Sequence, residues 1–177
     1  TELKNNGEED LGVEYVSSFA LLGIDKEGLL STDEKLEVLI ARNAWQKELI
    51  WNRFSMDQLG MSISQPDKVR RSSQTISVGN TGNWSTKNYL PMGCLKNKET
   101  DSILFWQIEQ NGSWYWEISD QDGHMYLQLS GPTEHQSHWW KNLKPGDTFA
   151  SVPVSVGSAC GDVEEAAGEL TKYRRAI

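Results

Sequence analysis

Cysteine, histidine and long apolar runs are scarce in this 177-residue chain, and each scarcity excludes a class of protein. Two cysteines, Cys94 and Cys160, are too few for a disulfide-stapled secreted fold, so we expect a cytoplasmic location. They also lie far apart and outside any Cys-x-x-Cys pair, which predicts no metal cluster. No stretch approaches the roughly 20 apolar residues of a membrane helix, and the acidic start of the chain does not resemble a signal peptide. We therefore expect no membrane partner.

Positive charge is also in short supply. Lys and Arg together number 17 against 25 Asp and Glu, which gives a net charge of −8, and no basic block stands out. Proteins that bind nucleic acid derive affinity from Lys and Arg that displace counterions, so we expect no nucleic-acid partner. The length and the 37% hydrophobic content favour one domain with a single core.

The sequence also lacks the patterns typical of catalytic sites. It has no Gly-x-Ser-x-Gly elbow and no glycine-rich phosphate loop. His135 and His138 have a spacing that suits a metal pair, but no third ligand follows at a recognisable distance, so we interpret them as part of a solvated loop. Paired acids such as Asp120 and Asp122 stand where a turn favours them. The sequence therefore predicts no catalytic residue, no metal and no cofactor.

Tryptophan, by contrast, is abundant, with eight copies between positions 45 and 140. Indole rings stabilise cores by burying a large area, and they also form stacking platforms for sugars and bases, so composition leaves both roles open. Trp114 and Trp116 share one face of an alternating run, which predicts that at least one lies in the core. Trp139 and Trp140 cannot both point inward from one strand, so we expect one of them at a surface.

Short alternating runs separated by Gly, Asn, Asp and Pro predict an all-β protein. With no helical period between them, they favour a large antiparallel β-sandwich or a barrel. The dipeptide Asn111-Gly112 accepts the positive φ angles of a type I′ turn and predicts a β-hairpin. The predicted strands span residues 13–22, 35–40, 45–54, 102–110, 113–120, 124–130 and 148–156.

The pattern changes to a helix after Gly161. Asp162 is a good N-cap and Glu165 completes a capping box. The apolar residues that follow have the spacing of an amphipathic helix. The helix runs to Ile177 without a Gly or Pro stop signal, and the chain begins without methionine, so we expect a piece of a longer polypeptide. The predicted organisation is a disordered tether at 1–12, a sandwich at 13–160 and a linker helix at 161–177.

One region carries residue types that suit a neutral polyhydroxyl ligand. Between Asp57 and Trp84 lie the paired arginines Arg70 and Arg71, together with amides and hydroxyls on expected loops. Such ligands need bidentate hydrogen bonds and an apolar platform. The alternative is that the glycines and amides only make turns while Trp84 fills the core, and residue types alone favour that alternative somewhat.

Four motifs make a family resemblance visible. They are FWQIEQNGSW at 105–114, LSGPTE at 129–134, WWKNLKPG at 139–146 and YRRAI at 173–177. In this order they resemble the N-terminal domain of glycoside hydrolase family 36, the α-galactosidases, and the similarity extends from about residue 13 to the end of the chain. In that family the domain is a β-sandwich of the supersandwich type, and a linker helix leads into a (β/α)8 barrel that carries two catalytic aspartates.

The resemblance implies that the full-length protein hydrolyses terminal α-galactosides with retention. That mechanism needs two carboxylates about 5–5.5 Å apart, which the barrel, absent from this chain, would supply. It also implies a homo-oligomer in which sandwich loops close a neighbour's active site. Asp57, Arg70, Arg71 and Trp84 are the expected substrate-binding residues, at one end of the sandwich. The rival hypothesis is a free-standing carbohydrate-binding module, whose tryptophans would form an exposed coplanar platform, whereas a scaffold would bury most of them.

Overall fold

The computed structural model describes residues 1–61, 74–121 and 123–177. Three helices are present there: α1 Thr32–Lys35, α2 Glu134–Ser137 and α3 Val163–Ala176. The strands in chain order are β1 Glu2–Lys4, β2 Leu11–Val13, β3 Ser17–Leu22, β4 Leu36–Ala44, β5 Lys47–Ser55, β6 Thr75–Asn80, β7 Tyr89–Asn97, β8 Ser102–Ile108, β9 Trp114–Gln121, β10 His124–Ser130, β11 Lys141–Leu143, β12 Thr148–Ala150 and β13 Val154–Cys160.

Two antiparallel sheets face each other across one core, so the predicted all-β sandwich is confirmed. One sheet has the strand order β3-β10-β9-β6, and the other has the order β13-β8-β7-β4-β5. Two further antiparallel pairs, β1 with β12 and β2 with β11, complete the described strands. None of the helices in the described part of the chain is long and apolar enough to cross a membrane.

The core lies where the inward side chains of the two sheets meet. Strands β9 and β10 alternate as the sequence predicts, and their inward residues are fully buried: Trp114, Trp116, Ile118, Met125, Leu127 and Leu129. From the opposite sheet, Trp106 meets Trp116 edge to face, with ring centroids 5.1 Å apart. Such aromatic pairs contribute about 0.5–1.5 kcal/mol beyond area burial, so this contact helps to hold the sheets together.

The predicted hairpin around Asn111-Gly112 is wrong. Strand β8 belongs to the five-stranded sheet, where β7 and β13 occupy both of its edges, while β9 belongs to the four-stranded sheet. Neither Asn111 nor Gly112 has a positive φ. Because β8 has no free edge, the chain crosses from one sheet to the other between residues 109 and 113.

The predicted disordered tether at 1–12 is also wrong. Strand β1 pairs with β12 along Glu2–Lys4, and β2 pairs with β11. Between them, the buried Asn5 donates its side-chain amide to the carbonyls of Glu9 and Leu143, at 2.8 and 2.9 Å. Polar residues do not prevent order here, because the backbone groups of two short edge strands find partners.

Several predicted strands have different limits in the structure. The run 13–22 is interrupted at 14–16, and the run 148–156 divides into β12 and β13, which pair with different strands. Pro153, which has no backbone N–H, precedes β13 and favours this break. The run 45–54 becomes the edge strand β5, and its residue Leu49 has a positive φ of 52° and is exposed. An edge strand buries one of its faces incompletely. The alternation of apolar and polar residues therefore did not predict the limits of this strand correctly.

The predicted C-terminal helix is confirmed, and it covers the outer face of the five-stranded sheet. Its capping box forms as expected, with the Asp162 amide donating to Glu165 at 2.8 Å. Ala166 is fully buried in a second apolar cluster with Leu39 and Cys94. The Arg53 guanidinium joins β5 to the helix N-terminus, because it donates to the Asp162 carboxylate at 2.6 Å.

Candidate functional site

Asp57 lies at the surface on a short 3-10 turn that follows β5. The turn is anchored by the buried side chains of Met56 and Met61 on either side. The amide of Gly60 donates to the Asp57 carbonyl at 3.0 Å, and Gly60 has a φ of 69°, which a glycine adopts without strain. The carboxylate of Asp57 is therefore presented to solvent by a fixed backbone.

Trp84 lies on the loop between β6 and β7, and 62% of its surface is exposed. The loop is nevertheless well anchored, since the Trp114 indole donates to the Ser85 carbonyl at 2.6 Å and the Asn80 side chain donates to the Trp84 carbonyl. The alternative in which Trp84 fills the core is thereby excluded. An ordered loop holds the indole in solvent, where it can contact a ligand or another chain.

The two described candidates are not brought together. Strand β5 begins at the end of the sheet that carries Trp84 and finishes beside Asp57. Its nine residues span roughly 25 Å, so the expectation that all four candidates share one end of the sandwich is wrong for this pair. Arg70 and Arg71 lie outside the described residues.

The Trp84 end contains a polar cleft that sequence reasoning missed. This hairpin cleft, of about 350 Å³, lies at the turn between β4 and β5 and is lined by Arg42, Asn43, Ala44, Lys47, Ile50, Asn52 and Asn88. The cleft adjoins the Trp84 loop, because Asn43 donates its side-chain amide to the Thr86 carbonyl at 2.6 Å. Six of the seven lining residues lie between positions 42 and 52 and meet through the pairing of β4 with β5, and the pairing of β4 with β7 adds Asn88. The sequence alone does not show that Asn88 joins them.

The hairpin cleft is lined by cationic and amide side chains. Guanidinium, ammonium and amide groups line it, and the Arg42 guanidinium lies 5.0 Å from the centre of the Tyr89 ring. This stacking fixes the cation without using its hydrogen bonds. Trp45, at the tip of the same hairpin, is 89% exposed. The lining residues include no pair of carboxylates suited to acid–base catalysis.

The tryptophans divide between core and surface. Trp106, Trp114 and Trp116 are fully buried, while Trp140 is 64% exposed and its neighbour Trp139 packs on the Phe149 ring with centroids 5.4 Å apart. The prediction that at least one of Trp114 and Trp116 lies in the core is confirmed, and so is the prediction that one residue of the Trp139–Trp140 pair lies at a surface. Among the described residues, the ring contacts of the tryptophans are Trp106 with Trp116 and Trp139 with Phe149, and neither is a contact between two exposed indoles.

The carboxylate of Glu109 helps to hold α3 against the five-stranded sheet. The Glu109 carboxylate accepts hydrogen bonds from Ser155 at 2.6 Å and from the Tyr173 hydroxyl at 2.9 Å, which joins α3 to the sheet. The hydrogen bond from Ser155 and, to a smaller extent, the one from Tyr173 hold the pKa of Glu109 below its usual range. Within the described ranges, no group of three or more His, Cys, Asp or Glu side chains could hold a metal ion.

No protein-family model matches the sequence, and no curated protein matches it. Solved structures do match. The GH36 α-galactosidase AgaA from Geobacillus stearothermophilus is 14% identical, with a TM-score of 0.69 over 93% of this chain and 20% of its own. The α-galactosidase from Lactobacillus brevis is 15% identical, with a TM-score of 0.70 over 94% of this chain and 20% of its own. A variant of AgaA is known in complex with raffinose.

The galactosidase domain of the α-galactosidase–sucrose kinase AgaSK is 19% identical, with a TM-score of 0.67 over 90% of this chain and 19% of its own. The chain thus spans about a fifth of the length of the solved structures it matches. At these identities the likeness concerns the fold. It confirms the resemblance seen in the sequence motifs: this chain has the fold of one domain of the GH36 α-galactosidases.

Proposed function

We propose that this chain is the non-catalytic N-terminal domain of a longer α-galactosidase that hydrolyses terminal α-galactosides. The observation that carries the proposal is the match over 90–94% of this chain to about a fifth of known α-galactosidases. The catalytic carboxylates would then come from a barrel that follows α3. Both cysteines of the chain are free, which agrees with action in the cytoplasm.

A scaffolding role is supported by how the domain uses its tryptophans and its helix. Three of the eight indoles, those of Trp106, Trp114 and Trp116, are fully buried between the sheets, and α3 is docked on the outer face through Ala166 and the Arg53–Asp162 ion pair. A helix held this firmly would give the barrel that follows it a defined position. The domain would therefore orient the barrel and promote assembly of a homo-oligomer.

A role in lining the active site of a neighbouring subunit is supported by exposure. Asp57 and Trp84 are both on the surface, on anchored backbone, and at opposite ends of the sandwich. One ligand cannot reach both within one chain, so the two ends would face different copies in the oligomer. We propose Asp57, Arg70 and Arg71 as the set that contacts the galactoside, with Trp84 acting at the other end.

Isolation of the parent protein, followed by an assay of its activity, tests the main proposal. An antibody raised against this chain should isolate from its source a protein much larger than 20 kDa that hydrolyses an aryl α-galactoside. The purified 177-residue chain should show no turnover, because it lacks the paired carboxylates of the barrel. A natural product of about 20 kDa, or a large protein without α-galactosidase activity, would contradict the proposal.

Arg71→Ala in the full-length oligomer tests the substrate-lining role. We expect the KM for an aryl α-galactoside to rise while the melting temperature hardly changes, because a side chain whose role is to contact substrate contributes little to the fold, and such substitutions alter stability by within about 0.5 kcal/mol. If the variant unfolds and any surviving enzyme keeps its KM, the arginine is a structural brace. Lys4→Ala, an exposed cation on β1, provides the matched control.

A carbohydrate-binding module remains the second candidate, because Trp45 and Trp84 are both exposed at the end that holds the hairpin cleft. The size of the natural protein separates the two hypotheses. A module that stands alone, or one joined to a catalytic domain of another class, would show no α-galactosidase activity in the isolated parent.

A further inference from the structure

The outer face of the four-stranded sheet carries a second polar cleft, on the other sheet from the hairpin cleft. Strands β9 and β10 form its floor, and the segment before β3 and the short helix α2 form its walls. Its volume is about 270 Å³. It is lined by Glu14, Tyr15, Tyr115, Glu117, Gln128, Thr133, Glu134, His135 and Gln136, and we call it the tyrosine cleft.

A hydrogen-bond network centred on Glu117 orders the floor. Its two carboxylate oxygens accept from the hydroxyls of Tyr115 and Tyr126, the latter at 2.8 Å. The Gln128 amide donates to the Tyr15 hydroxyl. Burial, reinforced by the Glu117 charge, raises the pKa of Tyr15 to about 12 and raises the pKa of Tyr126. The phenols therefore remain protonated donors at neutral pH, and the network is fixed before any ligand arrives.

The floor also offers an aromatic surface. Tyr115 lies opposite Gly79 of β6, and a Cβ on that glycine would stand 3.4 Å from the Tyr115 ring and 2.8 Å from the Trp114 carbonyl. The absence of a side chain at Gly79 lets the ring lie against the neighbouring strand. Tyr115 also lines the cleft, so the ring provides it with an apolar surface.

The mixture of donors and acceptors identifies the ligand class. Amide and imidazole groups of Gln128, Gln136 and His135 can donate, while carboxylate and amide oxygens accept. A hydroxyl both donates and accepts, and a carboxylate binds it strongly because the hydrogen bond is charge-assisted. An organic cation would satisfy the acceptors but would offer no acceptor to the donors. The C–H face of a sugar ring packs well on a tyrosine.

We infer that the tyrosine cleft binds one ring of a neutral oligosaccharide, held by Glu117 and Gln128 against the face of Tyr115. Its volume lies just below the roughly 300–1,000 Å³ of pockets for drug-sized ligands, which suits one ring and not a longer chain. This inference goes beyond the proposed function, because the cleft lies wholly within this chain and needs no catalytic barrel. A parent enzyme would gain a second, non-catalytic contact with its substrate.

Nuclear magnetic resonance of the 15N-labelled 177-residue chain tests the inference, with raffinose as the neutral probe and spermidine as the cationic one. We expect saturable shifts with raffinose in the side-chain amides of Gln128 and Gln136 and in the backbone of β9 and β10. Absence of saturable shifts, shifts confined to the hairpin cleft, or binding of spermidine alone would overturn it.

Two variants identify the residues responsible. Glu117→Gln keeps the size of the side chain and removes its charge, so raffinose affinity should fall at least tenfold. Glu8→Gln makes the same chemical change at an exposed site and should leave affinity unchanged. Gln128→Ala, also expected to weaken binding, keeps the test decisive if Glu117→Gln unfolds. Unchanged affinity in folded Glu117→Gln and Gln128→Ala would refute the assignment.

Discussion

At the scale of single residues, the core depends on close contacts that only small side chains permit. Gly93 of β7 lies directly against the indole of Trp106, and a Cβ there would stand 2.5 Å from the ring. Trp106 in turn carries the edge-to-face contact between the sheets. Any displacement of this indole would therefore disturb both layers of the sandwich.

We expect Gly93→Ala to destabilise the chain by about 1–3 kcal/mol, the usual cost of overpacking a close-packed core. Gly12→Ala is the matched control, because no atom lies within 4 Å of the Cβ it would add. Urea unfolding followed by tryptophan fluorescence measures both. Equal midpoints for the two variants would show that the core can adjust around Trp106.

The two cysteines differ sharply in environment. Cys94 is buried beneath α3, and burial raises the pKa of its thiol to about 12, whereas Cys160 is exposed at the end of β13. The thiolate is the reactive form, so a thiol reagent should modify one cysteine per native chain quickly and the second only after unfolding. Cys160→Ser should abolish the fast phase. Fast modification of both thiols in the native protein would contradict the burial of Cys94.

At the scale of elements, α3 depends on a carboxylate that links it to the sheet. Glu109 joins Ser155 of β13 to Tyr173 of α3, and these hydrogen bonds depress its pKa. A carboxyl whose folded pKa lies below its unfolded value of about 4.3 stabilises the fold fully above that value. The contribution is lost as the pH falls through the folded pKa, because the unfolded state binds more protons.

Glu109→Gln should therefore lower the free energy of unfolding more at neutral pH than in acid. The difference between wild type and variant should shrink as the pH falls from about 5 to about 2, where both side chains are uncharged. Urea unfolding of both proteins across this range measures it, and the other acids cancel in the comparison. A difference that does not change with pH would mean that the charge of Glu109 contributes nothing.

At the scale of the whole molecule, the N-terminal segment belongs to the sandwich. Its strands β1 and β2 pair with β12 and β11, and the buried Asn5 makes two side-chain hydrogen bonds to carbonyls far apart in the chain. The N-terminal segment is thus tied to the strands at 141–150. Removing this segment would expose the backbone of two strands.

We expect Asn5→Ala to cost about 2 kcal/mol, since each buried hydrogen bond contributes roughly 1 kcal/mol. Asn6→Ala makes the same change at an exposed neighbour and should stay within about 0.5 kcal/mol of wild type. Thermal unfolding compares the two. If both variants melt like the wild type, the segment does not contribute to the stability of the sandwich.

The sequence by itself determined the features that depend on neighbours along the chain. Alternation placed Trp114 and Trp116 on one face and predicted that at least one of them lies in the core, because successive side chains of a strand point to opposite faces; both are buried. The capping box located the start of α3 because its hydrogen bonds join residues three positions apart. The family motifs extended these local signals to the fold as a whole.

Only the tertiary structure decided which strands share a sheet and which loops share an end. Asn111-Gly112 has the composition of a hairpin turn, yet β8 already pairs on both edges, so the chain crosses to the other sheet instead. Asp57 and Trp84 are separated by the length of β5, while Glu117 and Tyr15 meet in one cleft although 102 positions separate them. Strand pairing joins residues without regard to their distance along the chain, so the partners are set by burial and hydrogen bonding across the whole molecule.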